Sequence, residues 1–340
     1  MTQILNIKNL KTHYQSEEGV VKAVDGISFT IGENQVFGLA GESGCGKSTL
    51  IRTIMRLIPK SASVSADQLQ FKGKDLLSLS DVSFRKNILW QNISLVPQSA
   101  MNALNPVYRV GDQCTEAILA HTDLNKAEAS NVVERLFDVV GLQAGLMKAY
   151  PHEFSGGMRQ RAMIAMSLVL RPELVIMDEP TTGLDVLVQE RILRNLKEIR
   201  QKSKNSLSIL LITHDISVIA EMSDRIGIMY AGKLMETANS MDLFNEPYHP
   251  YTLGLKNAFP SIKSLDRELI SIPGSPPNLT RNISGCLFYE RCPFSIDICQ
   301  EKPPQETLVA KDHIVQCHRI EDVEKFRKLA GEKETWQFSK

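Results

Sequence analysis

The stretch Gly41-Glu42-Ser43-Gly44-Cys45-Gly46-Lys47-Ser48 fits the pattern G-x-x-x-x-G-K-[ST] and constrains the fold more than any other part of the chain. The run Gln35 to Ala40 before it has the apolar character and length of a buried strand. Ser48 to Met55 after it reads as a helix. Strand, glycine-rich loop and helix in that order let successive backbone N–H groups and a helix N-terminus surround one anion. Lys47 can then reach the β- and γ-phosphates of a nucleotide, and the Ser48 hydroxyl can ligate Mg²⁺. A glycine-rich structural turn is the bland alternative, and the flanking order argues against it. The segment is read as binding a nucleoside triphosphate.

Two later apolar runs end on chemistry. Leu174-Val175-Ile176-Met177 leads into Asp178-Glu179, and Leu207 to Thr213 leads into His214. A carboxylate at the C-terminal tip of a buried strand is placed to hold Mg²⁺, which suits Asp178. Glu179, one residue on, points elsewhere and can align or deprotonate water. His214 can hydrogen-bond a γ-phosphate, although a lone strand-end histidine is more often structural. Asn92 to Gln98 reads as a third strand, ending on a glutamine.

Around these runs, the first thirty residues suggest short antiparallel strands joined at Ser16-Glu17-Glu18-Gly19. Tyr14, at the end of the first, is either an ordinary strand aromatic or a stacking surface for a base. Phe71-Lys72-Gly73-Lys74 reads as a hairpin turn, and Arg225 to Lys233 as a hairpin turning at Ala231-Gly232. Between about Val110 and Leu170 the pattern turns helical. Val133, Leu136, Phe137 and Val140 share one face, Asn125 and Glu128 form a capping pair, and Gly141 sits at a C-terminal cap.

Lys+Arg and Asp+Glu balance at 39 each, which leaves no basic footprint for nucleic acid. No stretch approaches the roughly 20 apolar residues that span a bilayer, and Met1 to Asn6 lacks the build of a signal peptide. A cytosolic setting is expected. Cys45 is read as a bystander in the loop and Cys114 as a small packed residue. The other four cysteines, Cys286-x₅-Cys292-x₆-Cys299-x₁₇-Cys317, cluster in the tail. Four thiolates can hold a [4Fe–4S] cluster or a tetrahedral zinc, or remain metal-free thiols or disulfides. The charged run Glu321 to Lys328 is read as a short surface helix with a solvated face.

Together these segments resemble the ATP-binding subunit of an ABC transporter over residues 1 to about 245. Ser155-Gly156-Gly157-Met158-Arg159-Gln160 is similar to the ABC signature, Gln98 to the Q-loop glutamine, Gly183-Leu184-Asp185 to the D-loop and His214 to the H-loop histidine. One departure is Pro97, where an aromatic often precedes the Q-loop glutamine. The resemblance implies an α/β P-loop NTPase: a RecA-like core, an antiparallel β subdomain, a helical subdomain over about 99–170, and a small cysteine-containing C-terminal extension over 246–340. It implies nucleotide contacts from Tyr14, Gly41, Glu42, Ser43, Gly44, Cys45, Gly46, Lys47, Ser48, Thr49, Gln98 and Asp178, with Ser155, Gly156, Gly157 and Asp185 facing a nucleotide on a second subunit. Ser48, Gln98 and Asp178 would hold Mg²⁺, while Glu179, His214, Gln98 and Lys47 would carry hydrolysis.

Glu246 to Thr252, Ile272 to Pro277 and Ala103 to Tyr108 resemble the dipeptide and oligopeptide importer branch, D-type subunit. That implies a second and different ATPase subunit, two transmembrane permeases, an external peptide-binding protein acting indirectly, and a place on the cytoplasmic face of the membrane. Similar tails bind a [4Fe–4S] cluster, which favours that reading of the four cysteines. Nickel and other non-peptide importers share the architecture. A soluble ABC ATPase of translation or DNA repair is the reading from another class, and the single cassette and neutral charge argue against it.

Overall fold

In a computed structural model, which describes residues 2–98, 100–202, 206–258 and 270–337, the chain begins with two long strands, β1 (Gln3–Ser16) and β2 (Gly19–Gly32). Next come β3 (Val36–Ala40), α1 (Lys47–Ile54), β4 (Ser63–Ser65), β5 (Gln68–Phe71), β6 (Lys74–Asp75), α2 (Asp81–Asn87) and β7 (Ile93–Val96). The helical stretch holds α3 (Ala100–Ala103), α4 (Val110–Leu119), α5 (Lys126–Val139) and α6 (Gly156–Leu168), with 3₁₀ turns between the last two. Then follow β8 (Leu174–Asp178), α7 (Val186–Lys202), β9 (Ser208–Ile212), α8 (Ile216–Met222), β10 (Arg225–Tyr230) and β11 (Lys233–Asn239). The tail adds α9 (Ser240–Asn245), α10 (Pro250–Ala258), α11 (Asp297–Glu301), β12 (Glu306–Ala310), β13 (His313–Gln316) and α12 (Val323–Leu329).

These elements form two units: one of Met1–Asn6, Thr30–Val36 and Gln70–Thr213, the other of Ile7–Phe29, Phe37–Leu69 and His214–Lys340. In the first, β7, β8 and β9 run parallel, with Ile93 opposite Leu174 and Asp178 opposite Ile212. Strands β8 and β9 are buried along their whole length, as their unbroken apolar sequences require of a parallel sheet covered on both faces. Strand β7 stops at Val96, so Gln98 stands two residues past its end. The α5 start carries the expected capping box, in which Glu128 N–H donates to Asn125 Oδ1 and Asn125 N–H donates to the Glu128 carboxylate. Val133, Phe137 and Val140 are buried along its inner face. Ser99, at the expected edge of the helical segment, lies outside the described residues. Both expected hairpin turns form: Lys72-Gly73 joins β5 to β6, and Ala231-Gly232, with φ 47° and 84°, joins β10 to β11.

In the second unit, β3 runs parallel to β10, with Gly38 opposite Ile226 and Ala40 opposite Ile228. Strand β11 then pairs with β13 through Glu236–Val315 and Thr237–Ile314, and β13 with β12. The tail therefore extends the sheet made by β10 and β11. Tyr230, Tyr251, Phe288 and Phe326 are fully buried in one core shared by β10, α10, α12 and the cysteine segment. The charged run Glu321 to Lys328 departs from expectation in this respect. It is a helix, but Phe326 turns inward and stacks on Phe294 with ring centroids 4.2 Å apart. Its charges are not simply solvated either, since Arg327 donates to the carbonyls of Glu246 and Pro247.

Candidate functional site

The glycine loop leaves β3 at Gly41 and enters α1 at Lys47. Two of its glycines are forced by close backbone approach. A Cβ on Gly46, at φ 108°, would lie 2.1 Å from the Ala23 carbonyl oxygen, and one on Gly41 would lie 2.1 Å from the Met229 carbonyl oxygen. The loop is also tied down beyond its own length, since the Gly232 N–H donates to the Cys45 carbonyl at 2.9 Å. The Lys47 ammonium donates to the carbonyls of Gly41 and Glu42 at 2.7 and 2.8 Å. A glycine-rich turn between strand and helix with a lysine folded over it is the arrangement that takes phosphate oxygens. Ser48 and Thr49 follow in the first turn of α1, half-buried, while Ser43 and Gly44 form the exposed tip. Cys45 is buried beside Lys47, with Nζ 3.5 Å from Sγ, and burial raises its thiol pKa.

Glu42 is held by more than its neighbours in sequence. Its amide donates to the Tyr251 hydroxyl at 3.0 Å, and its carboxylate receives both terminal nitrogens of Arg291, at 2.7 and 3.0 Å. Neither contact is legible in the sequence, because partners 209 and 249 residues apart leave no local pattern. Tyr14 is on β1, half-buried, and His214 is exposed just past β9.

In the other unit, Asp178 is buried at the tip of β8 and Glu179 turns out of the strand at φ 50°, a left-handed conformation uncommon for a residue with a side chain. The turn is fixed by the Glu179 N–H donating to the Ile212 carbonyl at 2.7 Å. It aims the carboxylate at Gln98 Nε2, 3.1 Å away, and at Thr182 Oγ1, 3.0 Å away. Gln98 and Glu179, 81 positions apart, are thus brought together, with Thr182 as a partner that sequence reasoning missed. Ser155 caps α6 by accepting from the Met158 N–H at 3.3 Å. Gly157 lies close against Val188, where an added Cβ would meet Cγ1 at 2.8 Å. Asp185 caps the start of α7 through Val188 N–H at 2.9 Å.

The four tail cysteines converge. Cys286, Cys292, Cys299 and Cys317 line one small apolar pocket with Phe288, Phe294 and Phe326, and none is in a disulfide. Burial, then the neighbouring thiols, raises the pKa of Cys292, and burial pushes Cys317 up to about 12. The expected metal centre finds no support beyond this convergence. The sulfurs share a pocket, but among the described residues no group of three or more His, Cys, Asp or Glu stands as a metal-binding set. Cys114 is fully buried, and burial pushes its thiol up to about 12, in keeping with a packing role. Among the described residues no helix is long and apolar enough to cross a membrane.

The family model for ABC transporters matches residues 24–182, and that for the oligopeptide/dipeptide transporter C-terminal region matches residues 235–299. An AAA domain model matches residues 145–220. The dipeptide transport ATP-binding protein DppD of Bacillus subtilis is 42% identical over 93% of this chain and 95% of its own length. The oligopeptide transport ATP-binding protein OppD of Escherichia coli is 41% identical over 89% of each. Among solved structures, cbiO1 from Clostridium perfringens, part of the ABC transporter complex cbiONQ, superposes with a TM-score of 0.62 at 26% identity. It covers 72% of this chain and 92% of that one. The ATP-binding cassette MJ0796, bound to ADP and Pi, shares the fold with a TM-score of 0.61 at 23% identity, over 69% of this chain and 98% of that one. With an anion-shaped loop, a strand-end carboxylate pair and near full-length likeness to these proteins, the chain belongs to the family of ABC-transporter ATP-binding subunits, in the dipeptide and oligopeptide branch.

Proposed function

We propose that this chain binds and hydrolyses MgATP to drive uptake of di- or oligopeptides through membrane permease partners. The observation that carries the reading is the glycine loop, in which Gly41 and Gly46 are sterically required and the Lys47 ammonium is held by the Gly41 and Glu42 carbonyls. The relatives named for dipeptide and oligopeptide transport supply the cargo class.

In this reading the backbone of Gly41 to Thr49 and the Lys47 ammonium hold the phosphates, and Tyr14 stacks on the base. Ser48, Asp178 and Gln98 are the Mg²⁺ ligands, and the ion offsets charge on the transferring phosphoryl group. Glu179 aligns and deprotonates the attacking water, with its carboxylate oriented by Gln98 and Thr182. His214 contacts the γ-phosphate. Ser155, Gly156, Gly157 and Asp185 serve a nucleotide on a second ATPase subunit, so that neither half-site works alone. Residues 1–245 act as the cassette, and 246–340 as an extension folded onto it. The assembly lies on the cytoplasmic face of the membrane, and no nucleic acid is involved.

The four-thiol pocket is assigned to a [4Fe–4S] cluster held by Cys286, Cys292, Cys299 and Cys317. The support is a set of four thiols, none in a disulfide, lining one pocket, which is the donor chemistry such a cluster takes. ATP hydrolysis needs no electrons, so the cluster would be structural or redox-sensing rather than catalytic. Iron and acid-labile sulfide near four each per chain would support it, and zinc or metal-free thiols would remove it.

The decisive test of the ATPase reading pairs two variants. Glu179→Gln should bind ATP with unchanged affinity and lose nearly all turnover, whereas Lys47→Ala should weaken nucleotide binding itself. Normal hydrolysis by the first, or unchanged affinity in the second, would sink the respective assignment.

A further inference from the structure

The phosphate loop is braced by the C-terminal extension. Glu42, the second residue of the loop, is bonded through every polar group it has: its N–H to the Tyr251 hydroxyl, its carbonyl to Lys47 Nζ, and its carboxylate to Arg291. Arg291 in turn has no free donor. Nε donates to the Pro273 carbonyl at 2.8 Å, Nη2 also to the Ile272 carbonyl at 3.3 Å, and Nη1 also to the Tyr230 hydroxyl at 3.3 Å. Its side chain is only 7% exposed, with the guanidinium 5.6 Å from the centre of the Tyr230 ring and 6.0 Å from that of Phe288. A fork with five donors and two aromatic faces engaged cannot swing, and a lysine could not reproduce it. Tyr251 is equally fixed, fully buried with its ring 4.7 Å from Tyr230 and 5.2 Å from Phe288.

We propose that Arg291 and Tyr251 are positioning residues for nucleotide binding, through which the folded extension sets the shape of the phosphate loop at Glu42. The inference rests on the assignment of residues 41–48 as the nucleotide loop. A cradle of backbone N–H groups binds an anion well only when those groups are already ordered, and each residue ordered at the moment of binding weakens affinity. Glu42 directly precedes the turn that begins at Ser43, and its carbonyl is one of the two that hold the Lys47 ammonium. A shift of Glu42 therefore moves the lysine as well as the loop backbone. Linkage makes the effect reciprocal, so that nucleotide on the loop tightens the segment around Pro273 and Arg291.

An ion pair that merely anchors the extension would predict lost stability and unaltered affinity in any variant that still folds. The test uses the full chain with MgADP and MgATP as probes and three substitutions, Arg291→Lys, Glu42→Gln and Tyr251→Phe. Arg291→Lys should raise the nucleotide Kd about tenfold, and the KM for ATP with it, while kcat of the assembled ATPase changes by less than about threefold. Glu42→Gln keeps the side-chain shape and loses one charged contact, and should raise Kd several-fold. Tyr251→Phe keeps the ring in its cluster and should do the same to a smaller extent. MgADP should slow amide exchange over 270–292 in the wild-type chain and not in Glu42→Gln. Nucleotide affinity within twofold of wild type in Arg291→Lys and Glu42→Gln overturns the proposal, and Glu42→Gln decides alone should Arg291→Lys not fold. A wild-type chain without nucleotide affinity would overturn the loop assignment itself.

Discussion

Glu236 is the pin that fastens the tail to β11, and its replacement by glutamine gives a sharp test of how the extension is held. The residue is 1% exposed and accepts three hydrogen bonds, from Tyr248 N–H at 2.7 Å, His249 N–H at 3.0 Å and His313 Nε2 at 2.7 Å. All three partners lie in the extension and all three donate, so a carboxylate satisfies them and an amide cannot. In Glu236→Gln one oxygen remains an acceptor while the –NH₂ group meets a donor head-on. Losing one charge-assisted hydrogen bond costs about 2 kcal/mol. Leaving a buried donor unpaired and His313 without its carboxylate raises the total to about 3–4 kcal/mol, near the range for breaking a buried pair. The chain has two tryptophans, and Trp336 is buried in the core that the extension shares with β10 and β11. Urea unfolding followed by Trp336 fluorescence in a Trp90→Phe background therefore reports on this region. With an m-value of about 3 kcal/mol per M, the midpoint should fall by about 1 M. A midpoint within 0.2 M of the parent chain, on the order of 0.6 kcal/mol, would mean that Glu236 does not pin the extension as its three contacts imply.

Two further outcomes follow from the same geometry. Gly46→Ala places a methyl 2.1 Å from the Ala23 carbonyl at a backbone angle that L-residues avoid. It should weaken MgADP binding at least tenfold in a titration, and unchanged affinity would show that the loop re-forms around a Cβ. His249 is fully buried and desolvation lowers its pKa to about 4, so the folded chain leaves it neutral while the unfolded chain protonates it near 6.5. Its contribution is fully present above pH 6.5 and is lost as pH falls toward 4, by up to about 3 kcal/mol. Unfolding free energies measured across that window should flatten by about one proton in His249→Asn, and parallel curves for the two proteins would refute the assignment.

The phosphate loop was legible because its information is local. Glycines demanded by backbone contacts, a lysine and a flanking strand and helix all lie within one short stretch, and each is a property of the residue type at that spacing. The same holds for the Ala231-Gly232 turn and the Asn125–Glu128 cap, where one or two residues determine the geometry. Strands β12 and β13 went unread, although Glu306 to Ala310 and His313 to Gln316 flank a turn at Lys311-Asp312 with Asp312 at φ 58°. The signal is short, five and four residues around one turn, too brief to separate from a loop by alternation alone. Phe326 was hidden by the charges around it, since a single inward aromatic in a run of Glu, Lys and Arg gives no periodicity.

The Glu42–Arg291 and Glu236–His313 pairs were illegible for a stronger reason. A buried polar pair has meaning only once both partners are placed, and composition treats each member as one more surface group. Both pairs join segments before residue 245 to segments after it, which is where the sequence suggested a boundary. The physical consequence is that deleting the tail would not merely remove an appendage. It would strand the Glu42 carboxylate on the phosphate loop and the Glu236 carboxylate on β11 without their partners, and uncover Tyr230 in the core. A cassette cut at residue 245 should therefore lose nucleotide affinity and solubility together.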